Sequence, residues 1–399
     1  MKRILIFGIV LLILFGLFSV FSSYMEAEYR SQLGLEKLRS LPYLEYTEDV
    51  QDRNLSGVVL YDKDRAYDGY TVVDGRFIID MEGNLLVTLP GDGNLQILFD
   101  DGVVADGDWG GNDNYFALYD KNFSLLLKKN IMIHHDMRRS YNHTFLTISR
   151  EKKAYKGRKV LFDSIIRISE TGETIDRWST FDHFDEIRKR HYESSLEIPE
   201  YIWAKLFAKE DDNIDIYDYY HINSVQELPE NSLDQTDSRF QQGNMLLSLH
   251  NVNLLIILDK DSKEIVWASG PDFLEGTHMP TMLANGNILL FDNGGETRDY
   301  SRVLELDPLK QEIVWNYTGN PPDSFFSESM GSVQRLPNGN TLISESEKGH
   351  VIEVTPDKEI VWEYWFPYFN RQGKRETIYR SSRMEKERIN RLMGIWNTQ

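Results

Sequence analysis

The sequence predicts an all-β chain, a six-bladed β-propeller with an N-terminal transmembrane helix, a helical insertion between blades and a C-terminal helix. Three observations predict it. A phrase ending in Ile-Val-Trp returns at Trp267, Trp315 and Trp362, with spacings of 48 and 47 residues. Tight-turn signals recur within these units, as in LANGNILLFDNG (Leu283–Gly294) and LPNGNTLISES (Leu336–Ser346), and Asn-Gly supplies the positive-φ backbone that a short hairpin needs. Each unit is also long enough for about four strands, the content of one propeller blade, whose faces are buried against its neighbours. Carried backward, the phase makes IIRISETGETIDRW (Ile165–Trp178) the end of a further blade, and two earlier segments supply two more.

In chain order, Lys2 and Arg3 precede an uncharged apolar run from Ile4 to about Phe21, near the length of one membrane span and with its cations on the cytoplasmic side. Residues 1–23 are therefore expected to be a signal anchor, with a cleaved signal peptide as the alternative. In either case the chain after Tyr24 lies outside the cytoplasm. Residues 24–56 read as a juxtamembrane stalk, with apolar positions at helical spacing up to Pro42. The propeller spans 57–370. It is interrupted at about 181–217 by a stretch of Arg, Lys and Glu at helical spacing, a lid over one face or a decoration of the rim. Residues 371–399 carry a basic amphipathic helix, from Glu376 to Trp396, to lie on an anionic membrane surface or against the propeller.

The 399 residues are 41% hydrophobic and 12% aromatic, ample for a packed core. A formal charge of −19 argues against a nucleic-acid partner, which needs a cationic face to neutralise phosphates. With no cysteine in the chain, disulfides, thiolate nucleophiles and Cys-ligated zinc are excluded.

Of nine histidines, three occupy related places in the repeat. His278 lies five residues before Leu283, His135 five before Ser140, and His221 seven before Leu228. All three offsets are odd, so simple strand alternation points these side chains one way and His134 the other. The first strand of each blade lines the axis, so the three rings are expected to converge there. His143, His183, His191, His250 and His350 lack this phasing and are read as structural. Two chemistries fit an imidazole cluster: metal ligation, or a nucleophile with partners that handle protons and charge.

The phrases HHD (His134–Asp136), DYYHINSV (Asp218–Val225), GTHMPTMLANGNILLFDNG (Gly276–Gly294), the EIVW endings and TIYRSSR (Thr377–Arg383) resemble the bacterial arylsulfotransferase family. The resemblance covers roughly Gly57 to Arg383. It implies an exported six-bladed propeller that moves a sulfuryl group from an aryl sulfate to a phenolic acceptor, without a nucleotide sulfate donor, a cofactor or a metal. Together with the apolar run after Lys2 and Arg3, the expectation is a single-pass protein of the bacterial inner membrane, anchored through its N-terminal helix, with the propeller on the periplasmic or extracellular side. Carried over, the nucleophile that becomes a sulfohistidine falls on His278, assisted by His221 and His135, with substrate contacts from His134, Asn223, Asn293 and Arg298. Two positions depart from the family: Leu249 stands where it has an arginine, and Thr277 where it has a glutamine. Arg298 and Arg150 are the candidate replacement cations. The alternative function is a non-catalytic propeller binding a ligand, a polysaccharide or a membrane-protein partner.

Overall fold

The structure, a computed structural model, describes residues 54–396 except 109–113, 141–142, 156–157, 193–216, 296 and 372. The apolar run from Ile4 to Phe21, most of the stalk and the later part of the insertion lie outside the described residues. Among the described residues no helix is long and apolar enough to cross a membrane.

Six sheets make up the fold. Their first strands, β5 (Leu95–Leu98), β9 (Ile133–Arg139), β14 (Ile222–Glu227), β18 (Thr277–Met282), β22 (Ser332–Arg335) and β26 (Ser381–Met384), line the axis, and each sheet then runs outward by antiparallel hairpins. Both faces of a blade are covered, which is why central strands read as unbroken apolar runs. Strand β15 (Met245–Leu249) shows it: Leu246 packs toward the blade that contains β18, while Met245, Leu247 and Leu249 pack toward the blade that contains β9.

The recurring tryptophan has a specific task. Trp267 Nε1 donates to Pro308 O at 3.1 Å, Trp315 Nε1 to Pro356 O at 2.9 Å, and Trp362 Nε1 to Met81 O at 2.9 Å. Each tryptophan on an outer strand thus clamps the outer turn of the next blade, and the last clamp joins the final blade to the first. Trp178 differs, its ring stacking on His183.

The ring closes twice. Strand β1 (Gly57–Tyr61) adds to the outside of the last blade by pairing with β25 (Ile360–Trp365), and β26 forms the inner strand of the first blade by pairing with β2 (Tyr70–Val73). The segment expected as one helix from Glu376 therefore divides: Ser381–Met384 is a strand, and only α2 (Lys386–Trp396) is helical. Buried Arg383 holds the seam, with Nε donating to Thr71 Oγ1 at 2.9 Å and Nη1 3.2 Å from Glu353 Oε2. Ile389 and Leu392 of α2 pack with Val72, Ile78, Leu98 and Val104 on the propeller. The described part of the insertion, α1 (Phe184–Tyr192), buries Phe184 and Ile187 and takes a rim position: Arg190 Nη2 donates to Ile265 O at the start of outer strand β17 (Ile265–Ser269).

Candidate active site

Five imidazoles form a continuous file at one end of the axial channel. Ring centroids are 4.9 Å apart from His134 to His135, 4.6 Å from His135 to His221, 5.5 Å from His221 to His250 and 5.1 Å from His250 to His278. The structure therefore brings His135, His221 and His278 into one cluster, and it adds His250, which the sequence phasing set aside.

Shared strand register is not what gathers them. In β9 the ladder steps from Thr147↔Met137 to Ile148↔His134, leaving His135 and Asp136 looped out. In β18 it steps from Leu289↔Thr281 to Phe291↔His278. By ladder position His134, not His135, is the counterpart of His278, and in β14 that place belongs to Ser224. Such bulges re-aim side chains next to functional sites. Here they carry left-handed residues, His135 at φ 59° and Met279 at φ 50°, and His221 just before β14 has φ 52°. His135 is held by its own carbonyl, which accepts from Arg380 Nη2 at 2.6 Å and from the Tyr379 hydroxyl. His250 opens a 3₁₀ turn after β15, and its backbone N–H donates to His221 O at 3.2 Å, which sets the two rings side by side.

Hydrogen bonds fix the protons. Asn293 Nδ2 donates to Ser327 O at 2.8 Å and Met330 O at 2.5 Å, so Asn293 Oδ1 is an acceptor, 2.7 Å from His278 Nδ1. Gly276 O, 3.2 Å away, accepts from the same nitrogen. His278 therefore carries its proton on Nδ1 and a lone pair on Nε2. His134 Nε2 lies 3.2 Å from the buried Asp163 carboxylate, so its Nδ1 accepts from His135 Nδ1–H at 2.7 Å. His250 Nδ1 donates to Asn251 Oδ1 at 3.1 Å, and His221 Nδ1 to Asp218 Oδ2 at 2.8 Å. Four rings thus keep Nδ1 for the scaffold and Nε2 for chemistry.

Burial sets the charge state. It brings His278 down to about 4 against its hydrogen bonds to Asn293 and Gly276, and His134 to about 4, aided by the Arg150 charge. Burial and then neighbouring rings hold His135 and His250 well below the ordinary imidazole range. Burial would raise the Asp218 carboxyl, but His221 and Arg150 hold it well below its usual value. Arg150 Nη2 lies 2.9 Å from Asp218 Oδ2 and 3.4 Å from His221 Nδ1. Arg380 is paired with buried Asp136 at 2.7 Å, and its charge is felt at His278. Among the described residues, no group of three or more His, Asp or Glu side chains is placed to hold a metal ion.

The remaining sequence candidates lie around this file. His134 is fully buried, with Nδ1 bonded to His135 and Nε2 3.2 Å from the Asp163 carboxylate. Asn223 ties β14 to β18 through Nδ2 and Thr277 O at 2.8 Å. Arg298 is committed to Asp292 at 2.9 Å and Glu275 at 3.5 Å. Leu249 is fully buried in the core between two blades.

A six-bladed propeller with imidazoles gathered on its axis is the class that these features define. The chain belongs to the arylsulfotransferase (ASST) family, whose family model matches residues 121–367. No curated protein matches the chain. Among solved structures it is similar to a protein of unknown function from Bacteroides caccae, at 12% identity and a TM-score of 0.47 over 79% of this chain and 98% of that one. It is also similar to a streptogramin B lyase, at 10% identity and a TM-score of 0.42 over 85% and 97%, and to virginiamycin B lyase from Staphylococcus aureus, at 11% identity and a TM-score of 0.37 over 70% of each chain.

Proposed function

We propose that the protein transfers a sulfuryl group from an aryl sulfate to a phenolic acceptor through a covalent intermediate on His278. One observation carries this reading: His278 is a neutral ring whose proton is pinned on Nδ1 by Asn293, leaving the Nε2 lone pair directed at its neighbours. A nucleophile needs that protonation state. Nε2 attacks sulfur, a nitrogen–sulfur bond forms and the sulfur–oxygen bond to the aryl group breaks. The departing phenolate takes the Nε2 proton of His221, which enters the step as an imidazolium with its Nδ1–H held by the Asp218 carboxylate. An acceptor phenol then returns its proton to His221 while its oxygen attacks sulfur and releases His278. Arg150 and Arg380 supply positive charge beside the sulfuryl oxygens, and His135 lines the path between them. His134 acts as a positioning residue for His135, as does Asn293 for His278; Asn223 sets the spacing of β14 and β18, and Arg298 braces the loop after β19 (Ile288–Asp292).

The apolar run after Lys2 and Arg3 supports an anchored chain with its propeller outside the cytoplasm, which protease digestion of intact and lysed cells would test. Leu249 favours a second reading, a ligand-binding propeller that lost transfer with the family's arginine. One assay separates the two. The full-length protein, given a chromogenic aryl sulfate and a phenol, releases phenolate with ping-pong kinetics under the first reading and none under the second.

A further inference from the structure

The axial channel has a second half. At the turn ends of the inner strands lies a cavity of about 710 Å³, none of whose lining residues is a histidine, and Arg380, which also bonds His135 O, stands between it and the imidazole file. This size is in the range of small-molecule sites. Exposed Ala284, Asn285 and Pro337 form its rim, and Ile97, Met282 and Val333 contribute apolar wall. Arg138 and Arg380 also line it, sharing one carboxylate: Asp136 lies 3.3 Å from Arg138 Nε and 2.7 Å from Arg380 Nη1. Two guanidinium groups on one carboxylate leave an excess positive charge.

Four residues that line the same cavity each carry a donor atom with no hydrogen-bond partner in the protein: Gln96 Nε2, Ser381 Oγ, Arg380 Nε and Arg335 Nε. Gln96 and Ser381 are only 5% and 7% exposed. Buried donors are nearly always paired in native proteins, and four around one cationic, apolar-walled space point to a ligand rich in acceptors. We propose that this half of the channel binds an organic oxyanion, an apolar body ending in a carboxylate or similar group, independently of the histidines. The apolar walls and the volume fit such a molecule better than a bare inorganic anion.

Isothermal titration of the full-length protein tests this with 4-phenylbutanoate, its neutral amide and inorganic phosphate as probes. The carboxylate is expected to bind saturably, with the amide and phosphate at least about tenfold weaker. Gln96→Leu and Ser381→Ala should each weaken it about tenfold, whereas His278→Ala should bind as the parent does. If a variant lowers the thermal midpoint, Gln96→Glu serves instead, since its negative charge must abolish binding at nearly unchanged volume. Equal binding of carboxylate and amide, loss of binding in His278→Ala, or no saturable heat at millimolar carboxylate would each overturn the proposal.

Discussion

Replacing Asn293 by leucine tests the most detailed part of the account. The substitution nearly keeps the volume but removes the acceptor 2.7 Å from His278 Nδ1, together with the two donors that satisfy Ser327 O and Met330 O. Each buried polar group left unsatisfied costs about 1–3 kcal/mol. Gly276 O still accepts from Nδ1 at 3.2 Å and Ser301 Oγ still donates to Ser327 O at 3.2 Å, so the net loss falls mainly on Met330 O, about 1–3 kcal/mol of stability. With its stronger acceptor gone, the His278 proton can move to Nε2, which takes away the attacking lone pair. The resulting fall in kcat lies between the effect of one lost hydrogen bond and that of an inverted tautomer, about 10 to 10⁴. The assay is initial-rate phenolate release from an aryl sulfate, with the ring nitrogen shifts of His278 read by NMR. A folded variant that retains kcat within a factor of about three, with the Nδ1–H tautomer lost, would refute the role given to that proton.

Other perturbations follow from the same contacts. Asp136→Ala strands the guanidinium of Arg380 and frees the Val225 N–H now bonded at 3.1 Å; breaking a buried pair in this way should remove about 3–5 kcal/mol in a urea melt. His134 and His278 have native values near 4, below their unfolded 6.5, so the unfolded chain holds more protons between these limits. Stability should therefore fall as pH drops from 6.5 to 4, by about 1.4 kcal/mol per pH unit for each ring, and a flat stability profile across that window would contradict the burial argument. Restoring the family's arginine with Leu249→Arg places a guanidinium in a fully buried apolar core, so the thermal midpoint should fall by the effect of several kcal/mol, with no gain in rate.

The propeller was legible because its clamp is periodic over three successive blades: the indoles of Trp267, Trp315 and Trp362 each meet the next blade's turn, and that contact leaves a repeat near 48 residues. The closing strand was not legible. Ser381–Met384 is short, polar on one face and followed at once by a helix, so its pattern merges with the helical one. The convergence of His135, His221 and His278 was anticipated, but by a parity rule that the bulges at His135 and Met279 break. His250 left no trace of phase because it sits in a single 3₁₀ turn outside any ladder. Arg380 reaches Asp136 from 244 residues away, and nothing local in the sequence announces such a partner.

The proposed transfer depends on the Nε2 atom of His278. Full-length protein mixed with an aryl sulfate in the absence of acceptor, quenched in alkali and digested, should yield the peptide that spans His278 heavier by one sulfuryl group, with the label discharged when a phenol is added before the quench. Phenolate release that proceeds while this peptide stays unmodified, or that persists in His278→Ala, would contradict it.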